Sequence, residues 1–503
     1  MEEMKTPTAE VWRKYMDAET FDRIREMDSV AQMWAYCVSE YAQETAITDQ
    51  KPYTYAELDE EVARMRTAFA DLKKGDRVGI LIPNSYLFVR TFLAVTTAGL
   101  TAVILPAGLD EKAVYGCCMK FGIKRLMYAP ELKDKADAAS KLPGAPEMLS
   151  ADPMPAEKTD AAKVEGKDPC VIMFTGGTTG KSKGALLSNA AVMQGTVNGC
   201  YGYKQVFNQR YLLILPLSHV FGLIRNLMTS LYTGSDLFIC RDNKDMFRDI
   251  ATFKPTILVM VPALAEIALN LSAKFGRNML GEDLKTIICG AAPVAPYLVE
   301  AYHQKGIALL PGYGLTESAN LVSGNPDSIN RSDSVGIMFP NQEYRIEDGE
   351  LWLKGTNIFT GYIGEEEEAF TEDGWFKTGD LARVDEDGFL YITGRIKEII
   401  VLPNGENVSP AEVEARFNAL DFVQDSQVFE DQNEQGKPIL ALEIVPRQAL
   451  LATKGAEDAK SYMMQELEKV NRSLQGYQQV NRIVIREQDF ERSPSMKIVR
   501  YKK

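Results

Sequence analysis

The chain is predicted to be an α/β protein, with a large N-terminal portion of α/β sheets, a small β-rich stretch and a smaller C-terminal unit. Three observations predict this. Short apolar runs of strand type alternate with helical patterns up to about residue 325, the signature of largely parallel sheets. From about residue 326 the helical patterns give way to short strands. After Lys397 a separate set of amphipathic helices begins.

In chain order, Thr54-x-x-Glu57 is a capping box, followed by Leu58, Val62, Met65 and Phe69 at helical spacing. Strand-like runs follow at Val78–Ile82, Ala102–Leu105, Arg125–Tyr128, Tyr211–Leu215, Asp236–Cys240, Ile257–Val261 and Thr286–Cys289. Helical patterns at Ser85–Ala98 and Pro262–Phe275 lie between them. Residues 143–167, rich in Pro, Ala and charge, read as a surface connection. Asp348-Gly349 between EYRIE and ELWLKG is a tight hairpin signal. The charge run Glu365–Glu368 reads as a solvated first helical turn. Ser409, Pro410 and Glu412 mark a capped helix start, with Val413, Phe417 and Leu420 as its apolar face. A second helix covers roughly 457–475, with Met463, Leu467, Val470 and Leu474 as its stripe. No internal repeat is present.

Composition narrows the function. At roughly 150 residues per domain, 503 residues suggest about three folding units. A hydrophobic content of 45% and a charged content of 25% are ordinary for a soluble globular chain. The net charge of −14 argues against nonspecific binding to nucleic acid or anionic membrane. The acidic start MEEMKTPTAEVW, broken by Pro7, does not read as a signal peptide. The apolar stretch Val78–Leu105 contains Pro83, Asn84, Arg90 and Gly99, and reads as strand, turn, helix and strand rather than a membrane span. The seven cysteines (37, 117, 118, 170, 200, 240, 289) have no CxxC spacing and read as free thiols of a reducing, cytoplasmic protein. With His219 and His303 the only histidines and no HExxH, a zinc site is not expected.

The most informative stretch is FTGGTTGKSKG, residues 174–184. Gly176, Gly177 and Gly180 allow tight turns that expose backbone N–H groups to an anion. Thr175, Thr178 and Thr179 add hydroxyls, and Lys181 and Lys183 add charge. The run misses the P-loop pattern, because Thr175 stands where glycine is required and GALLS after it reads as a strand, not a helix. A hairpin closing over phosphates and an ordinary Gly/Thr turn are both consistent with it. Four further pieces fit a nucleotide site, and each also fits a plain turn or strand end. YGLTES carries Tyr313, Gly314, Thr316 and Glu317: an aromatic face, a hydroxyl that can meet a phosphate oxygen, and a carboxylate suited to Mg²⁺. CGAAP carries Gly290, Ala291, Ala292 and Pro293, small enough to admit a flat base. TGDL presents Asp380, a good acceptor for ribose hydroxyls. GRIKEII places Arg395 and Lys397 between two strand-like runs.

Taken in order, FTGGTTGKSKG, LPLSHVFG (Leu215–Gly222), CGAAP, YGLTES, GWFKTGDL, DGFLYITGRIKEII, NGENVSPAEVE and SPSMKIVR resemble the adenylate-forming superfamily. That superfamily comprises acyl-CoA synthetases, aryl-CoA ligases, luciferases and peptide-synthetase adenylation domains. The match spans roughly 170–500; residues 1–165 fit by layout. The resemblance implies an N-terminal domain over 1–396, with subdomains at about 1–165, 166–325 and 326–396, and a mobile C-terminal domain over 397–503. It implies that a carboxylic acid is activated with MgATP to an acyl-adenylate and then passed to a thiol, usually of coenzyme A. Lys397 falls at the hinge position, and Asp380 and Arg395 fall where ribose hydroxyls are held. Lys497 falls where a lysine reaches the carboxylate and α-phosphate. Gly405, Glu406 and Asn407 belong to the face presented in the thiol step. His219 falls at the substrate pocket, as an orienting or gating group. Two departures stand out: Ser182 replaces a Pro or aliphatic residue before Lys183, and Met496 replaces a Gly before Lys497.

After Pro216 the Asp that binds an α-ammonium in amino-acid-activating domains is missing, and no carrier segment is attached. Both points favour coenzyme A. A stand-alone enzyme loading a carrier protein, a nucleotide-binding regulator or P-loop-like NTPase, and a member that binds nucleotide without turnover are the alternatives. Medium-to-long acyl, aryl and small dicarboxylic acids all remain open, as does the oligomeric state.

Overall fold

The computed structural model describes residues 9–175, 183–364, 369–402, 406–433, 435, 437–447, 456–492 and 498–500. Among them the chain forms an α/β architecture with two large sheets, of seven and thirteen strands. In the smaller sheet Arg77–Leu81 is flanked by Thr101–Ile104 and Ile123–Tyr128, all parallel. Thr101–Ile104 continues to Pro169–Thr175, also in parallel, and Lys183–Ser188 then turns back antiparallel. Strands such as Thr101–Ile104 and Ile257–Met260 are buried at every position. Sheets covered by helices on both faces require such unbroken apolar runs.

The larger sheet changes character along its length. Arg210–Leu213, Ile257–Met260, Thr286–Cys289 and Ala308–Leu315 pair in parallel. The first half of Ala308–Leu315 lies parallel to Thr286–Cys289, and its second half lies antiparallel to Asn320–Gly324. Antiparallel strands then carry the sheet through Gly336–Met338, Phe389–Arg395, Phe376–Val384 and Glu350–Lys354 to Glu343–Glu347. The β-rich stretch thus extends the same sheet. Asp348 (φ 49°) and Gly349 (φ 82°) form its hairpin turn, with the positive φ at both central positions that matches the twist of the strands.

Local signals set the helix ends. Thr54 and Glu57 satisfy each other's backbone donors at the start of Tyr55–Arg66. Pro262 opens Pro262–Phe275, and Gly276 closes it in the left-handed region (φ 62°). A second core, separate from the main one, gathers Val413, Phe417, Val428, Leu442, Met463 and Leu467 around a three-stranded sheet.

Two expectations need correction. Residues 143–167 are not all connection: Glu147–Ser150 is an edge strand parallel to Ile123–Tyr128. Its Glu147 pairs with Arg125, a long-range contact with no local signal. Ser409 stands at the helix N-cap, but its hydroxyl donates to the Thr393 carbonyl (2.8 Å) and forms no capping box with Glu412. The charge run Glu365–Glu368 lies outside the described residues.

Asp236, at the start of Asp236–Ile239, accepts from the Thr48 hydroxyl (3.0 Å). Burial pushes its carboxyl from 3.8 up to about 6. Because the folded value is raised, the native state holds this proton to higher pH than the unfolded chain. The destabilising contribution is absent below about pH 4 and complete above about pH 6. Asp236→Asn is therefore expected to raise Tm at pH 7.5 and to give no such gain at pH 4, as measured by calorimetry.

Candidate active site

The strands that flank the glycine-rich run, Pro169–Thr175 and Lys183–Ser188, belong to the seven-stranded sheet. Thr175 and Lys183 are cross-strand partners, so the flanking strands are antiparallel, and Lys183 leads into a strand rather than a helix. Gly176, Gly177, Thr178, Thr179 and Gly180 lie outside the described residues, with Ser182, Gly405, Met496 and Lys497. Lys183 places its ammonium over the Tyr362 ring (4.8 Å to the centroid). The Tyr362 hydroxyl donates to Glu317 Oε1 at 2.6 Å. Burial, with Glu317 adding to it, pushes the Tyr362 hydroxyl up and keeps it a donor. Tyr362 belongs to the short strand Gly361–Tyr362, which pairs with Lys183–Ser188. One tyrosine thereby ties Lys183 and its strand to YGLTES.

YGLTES is shaped by close backbone approach. A Cβ on Gly314 would lie 2.1 Å from the Asn320 carbonyl oxygen, so only glycine fits. The strand then ends in the turn Thr316–Ser318, where Ser318 Oγ accepts from the Leu315 N–H (2.9 Å). The Phe359 N–H donates to the Glu317 carbonyl (2.8 Å), and Asn357 Nδ2 donates to the Ser318 carbonyl (3.1 Å). The carbonyls of Glu317 and Ser318 are thus held by Phe359 and Asn357, in the segment before Tyr362.

Asp380 is only 2% exposed. Its Oδ2 accepts from the Tyr313 hydroxyl at 2.5 Å, and its Oδ1 accepts from Arg395 Nε at 2.7 Å. Asp380 and Arg395 are register partners on adjacent strands. Burial and the Asp380 charge push the Tyr313 hydroxyl well up. Burial pulls Arg395 down, but Asp380, Tyr313 and Glu398 outweigh it and hold the guanidinium above its usual range. This is a preorganised carboxylate with a cation and an aromatic ring on either side.

Gly290–Pro293 follows the strand Thr286–Cys289 at the level of Tyr313. A Cβ on Gly290 would approach the Gly312 carbonyl to 3.0 Å and Phe221 Cζ to 3.4 Å. Ala291 adopts φ 67°, left-handed backbone that a residue with a Cβ rarely takes and that clusters at functional sites. His219 is half-buried, and its Nδ1 accepts from the Phe221 N–H (3.2 Å), which leaves the ring proton on Nε2. It precedes a π-helical turn, Phe221–Met228, a form common at functional sites. Asn84 braces the same loop from the other sheet, donating to the Leu215 carbonyl (2.9 Å) and accepting from the Leu217 N–H (2.9 Å).

The structure therefore gathers Lys183, Glu317, Tyr313, Asp380, Arg395, Gly290–Pro293 and, through Phe221, the His219 loop. Glu406 and Asn407 lie at a different sheet from Tyr313, Asp380 and Arg395. They are exposed at the two-stranded ribbon Ile400–Val401 and Asn407–Val408. Lys397 lies in the turn Ile396–Glu398 that follows Arg395. Sequence reasoning missed Tyr362, Asn84 and Asn357, whose roles depend on contacts across 45, 131 and 39 residues respectively.

Residues 34–363 match the AMP-binding enzyme family, and residues 397–503 match the AMP-binding enzyme C-terminal domain. The chain is 29% identical over 470 residues to 4-coumarate–CoA ligase-like 6 of Arabidopsis thaliana, spanning 85% of this chain and 81% of that protein. It is 30% identical over 384 residues to a feruloyl-CoA synthase of an Amycolatopsis species, spanning 72% of this chain and 77% of that protein. Its fold is similar to an anthranilate CoA ligase in complex with anthranoyl-AMP, with a TM-score of 0.83 at 19% identity over 95% of this chain and 97% of that one. Among the described residues, no helix is long and apolar enough to cross a membrane.

Proposed function

The chain belongs to the AMP-binding enzyme family, and from that premise we propose how its residues carry out adenylate-forming acid–CoA ligation. A carboxylate oxygen of the acid attacks the α-phosphorus of ATP. The bond from that phosphorus to the β-bridging oxygen breaks, giving acyl-AMP and pyrophosphate. The thiolate of coenzyme A then attacks the acyl carbon, the C–O bond to AMP breaks, and acyl-CoA and AMP leave.

The observation that carries this reading is the buried Asp380 clasped by Tyr313 and Arg395. A carboxylate so placed accepts hydrogen bonds from ribose hydroxyls, while the Tyr313 ring and Gly290–Pro293 frame a flat base. Thr175, Lys183 and the glycines after Thr175 hold the phosphates. Glu317 fits Mg²⁺, since it presents hard oxygen on a braced turn and Tyr362 engages only Oε1. Magnesium supplies charge neutralisation at the phosphates. Lys497 offsets the repulsion between the two anionic reactants, and His219 orients the acid. We place the boundary between the two domains at 396/397, with Lys397 as hinge. Gly405, Glu406 and Asn407 face the site in the thiol step.

Pyrophosphate exchange over a panel of carboxylic acids tests the first half-reaction, and CoA-dependent AMP release tests the second. Exchange with no acid would end the ligase reading. Exchange without CoA-dependent release would redirect it to a carrier-protein acceptor.

A further inference from the structure

Arg225 is 2% exposed, among the largest fully buried side chains of the protein. It sits on the π-helical turn Phe221–Met228, two turns or fewer beyond His219. Its Nη2 donates to the Tyr203 hydroxyl at 3.1 Å. That hydroxyl lies 2.9 Å from the Gly199 carbonyl, to which it donates, and 3.1 Å from the Tyr211 hydroxyl. Nη1 is buried with no hydrogen-bond partner, and among the described residues no carboxylate acts on the guanidinium. Burial pulls Arg225 down, yet the surrounding tyrosines hold it above its usual range, so it stays charged.

Arg225 lines a cavity of about 20 Å³, together with Ile288, Leu310, Pro311 and Leu321. Those residues immediately precede or face Gly290–Pro293 and Tyr313. The cavity therefore lies just beneath the strand ends where the acid and nucleotide meet. Tyr201 and Phe339 close its far side, and Trp12 packs on both, with centroids 5.9 and 5.0 Å away. The volume beside Nη1 takes one water or one carboxylate oxygen. A water there would satisfy Nη1 but not its charge, and the wall, with Asn325 as its one other polar side chain besides the Tyr201 hydroxyl, offers no counter-ion. A buried cation without an anion is strongly unfavourable.

We propose that Arg225 is a specificity-determining residue that binds a second carboxylate on the acid substrate, so that the enzyme activates acids with a distal anionic group. This rests on the ligase reading above. Tyr203 fixes one edge of the guanidinium and leaves the other edge for the ligand. Nη1 then meets a single carboxylate oxygen in a charge-assisted hydrogen bond.

The test is pyrophosphate exchange with matched pairs: straight-chain monoacids against α,ω-diacids of equal carbon number from C4 to C8, and 3-phenylpropanoate against its ring-carboxylated analogue. The wild type is expected to favour the diacid of at least one pair by about 10–100-fold in kcat/KM, the range for a hydrogen bond to a charged group. Arg225→Met is expected to erase that preference while its monoacid rate stays within a few-fold of wild type. Preference for the monoacid in every pair, or an equal loss of both members in Arg225→Met, would overturn the assignment. The wild-type ratio decides even where the variant does not fold. Exchange with no acid would remove the ligase reading, and this assignment with it. That result is distinct from a monoacid preference, which overturns the assignment alone.

Discussion

Lys497→Ala is expected to lower the rate of acyl-adenylate formation by about 10²–10³ while thioester formation from supplied acyl-adenylate continues near the wild-type rate. In the role proposed for it, Lys497 supplies one preorganised charge to a charge-dense transition state, and removing such a charge has this size. The asymmetry follows from the chemistry. Bringing a carboxylate to a triphosphate joins two anions, whereas thiolysis of the adenylate breaks a bond to a leaving phosphate. A charge on a separate unit suits a requirement confined to one step. Pyrophosphate exchange reads the first half-reaction, and AMP release from synthetic acyl-adenylate with coenzyme A reads the second. Equal loss in both would show that the lysine shapes the whole site. Arg500, three residues on, is ion-paired to Glu414 (2.7 Å) and Glu398 (3.0 Å). The described end of the chain is thereby tied to the turn that contains Lys397.

Asp380→Asn is expected to raise the KM for ATP by about 10–100-fold and to leave the KM for the acid near wild type. The amide keeps the shape of the carboxylate but turns one acceptor into a donor, facing either the Tyr313 hydroxyl or Arg395 Nε. Each hydrogen bond to a charged acceptor contributes about 1.5–3 kcal/mol, so losing one gives the stated range. Steady-state kinetics with ATP and acid varied in turn check it. An effect confined to the acid would move Asp380 out of the nucleotide site.

The fold was legible wherever local chemistry repeats. Pro262 and Gly276 bracket a helix that the pattern reads from end to end, and Asp348-Gly349 announces its hairpin. Ala308–Leu315 was harder to read. Pro311, Gly312 and Gly314 depress strand propensity, and its change of partner from parallel to antiparallel is a property of two distant segments. In the site, Tyr313, Asp380 and Arg395 come from three separate motifs, and sequence order alone does not say that they touch. Tyr362 lies two residues beyond a run with no distinguishing spacing, so only the strand pairing with Lys183–Ser188 reveals its reach to Glu317. Arg225 is hidden for the opposite reason: an arginine three residues after Gly222 carries no motif of its own, and only its burial marks it.

The edge of the larger sheet has a consequence for biosynthesis. Thr45–Thr48 finds its parallel partner only at Asp236–Ile239, and the Trp12 indole donates to the carbonyl of Met338. At about 5–20 residues per second, a ribosome needs roughly 10–40 s after making the first of these strands to deliver the second. Through that interval Thr45–Thr48 has Pro52–Thr54 on one edge and nothing on the other, and Trp12 waits longer still for Met338. An open strand edge and an unseated tryptophan are both adhesive to other chains. Yield in cells should therefore depend on holdase chaperones acting before translation passes residue 240.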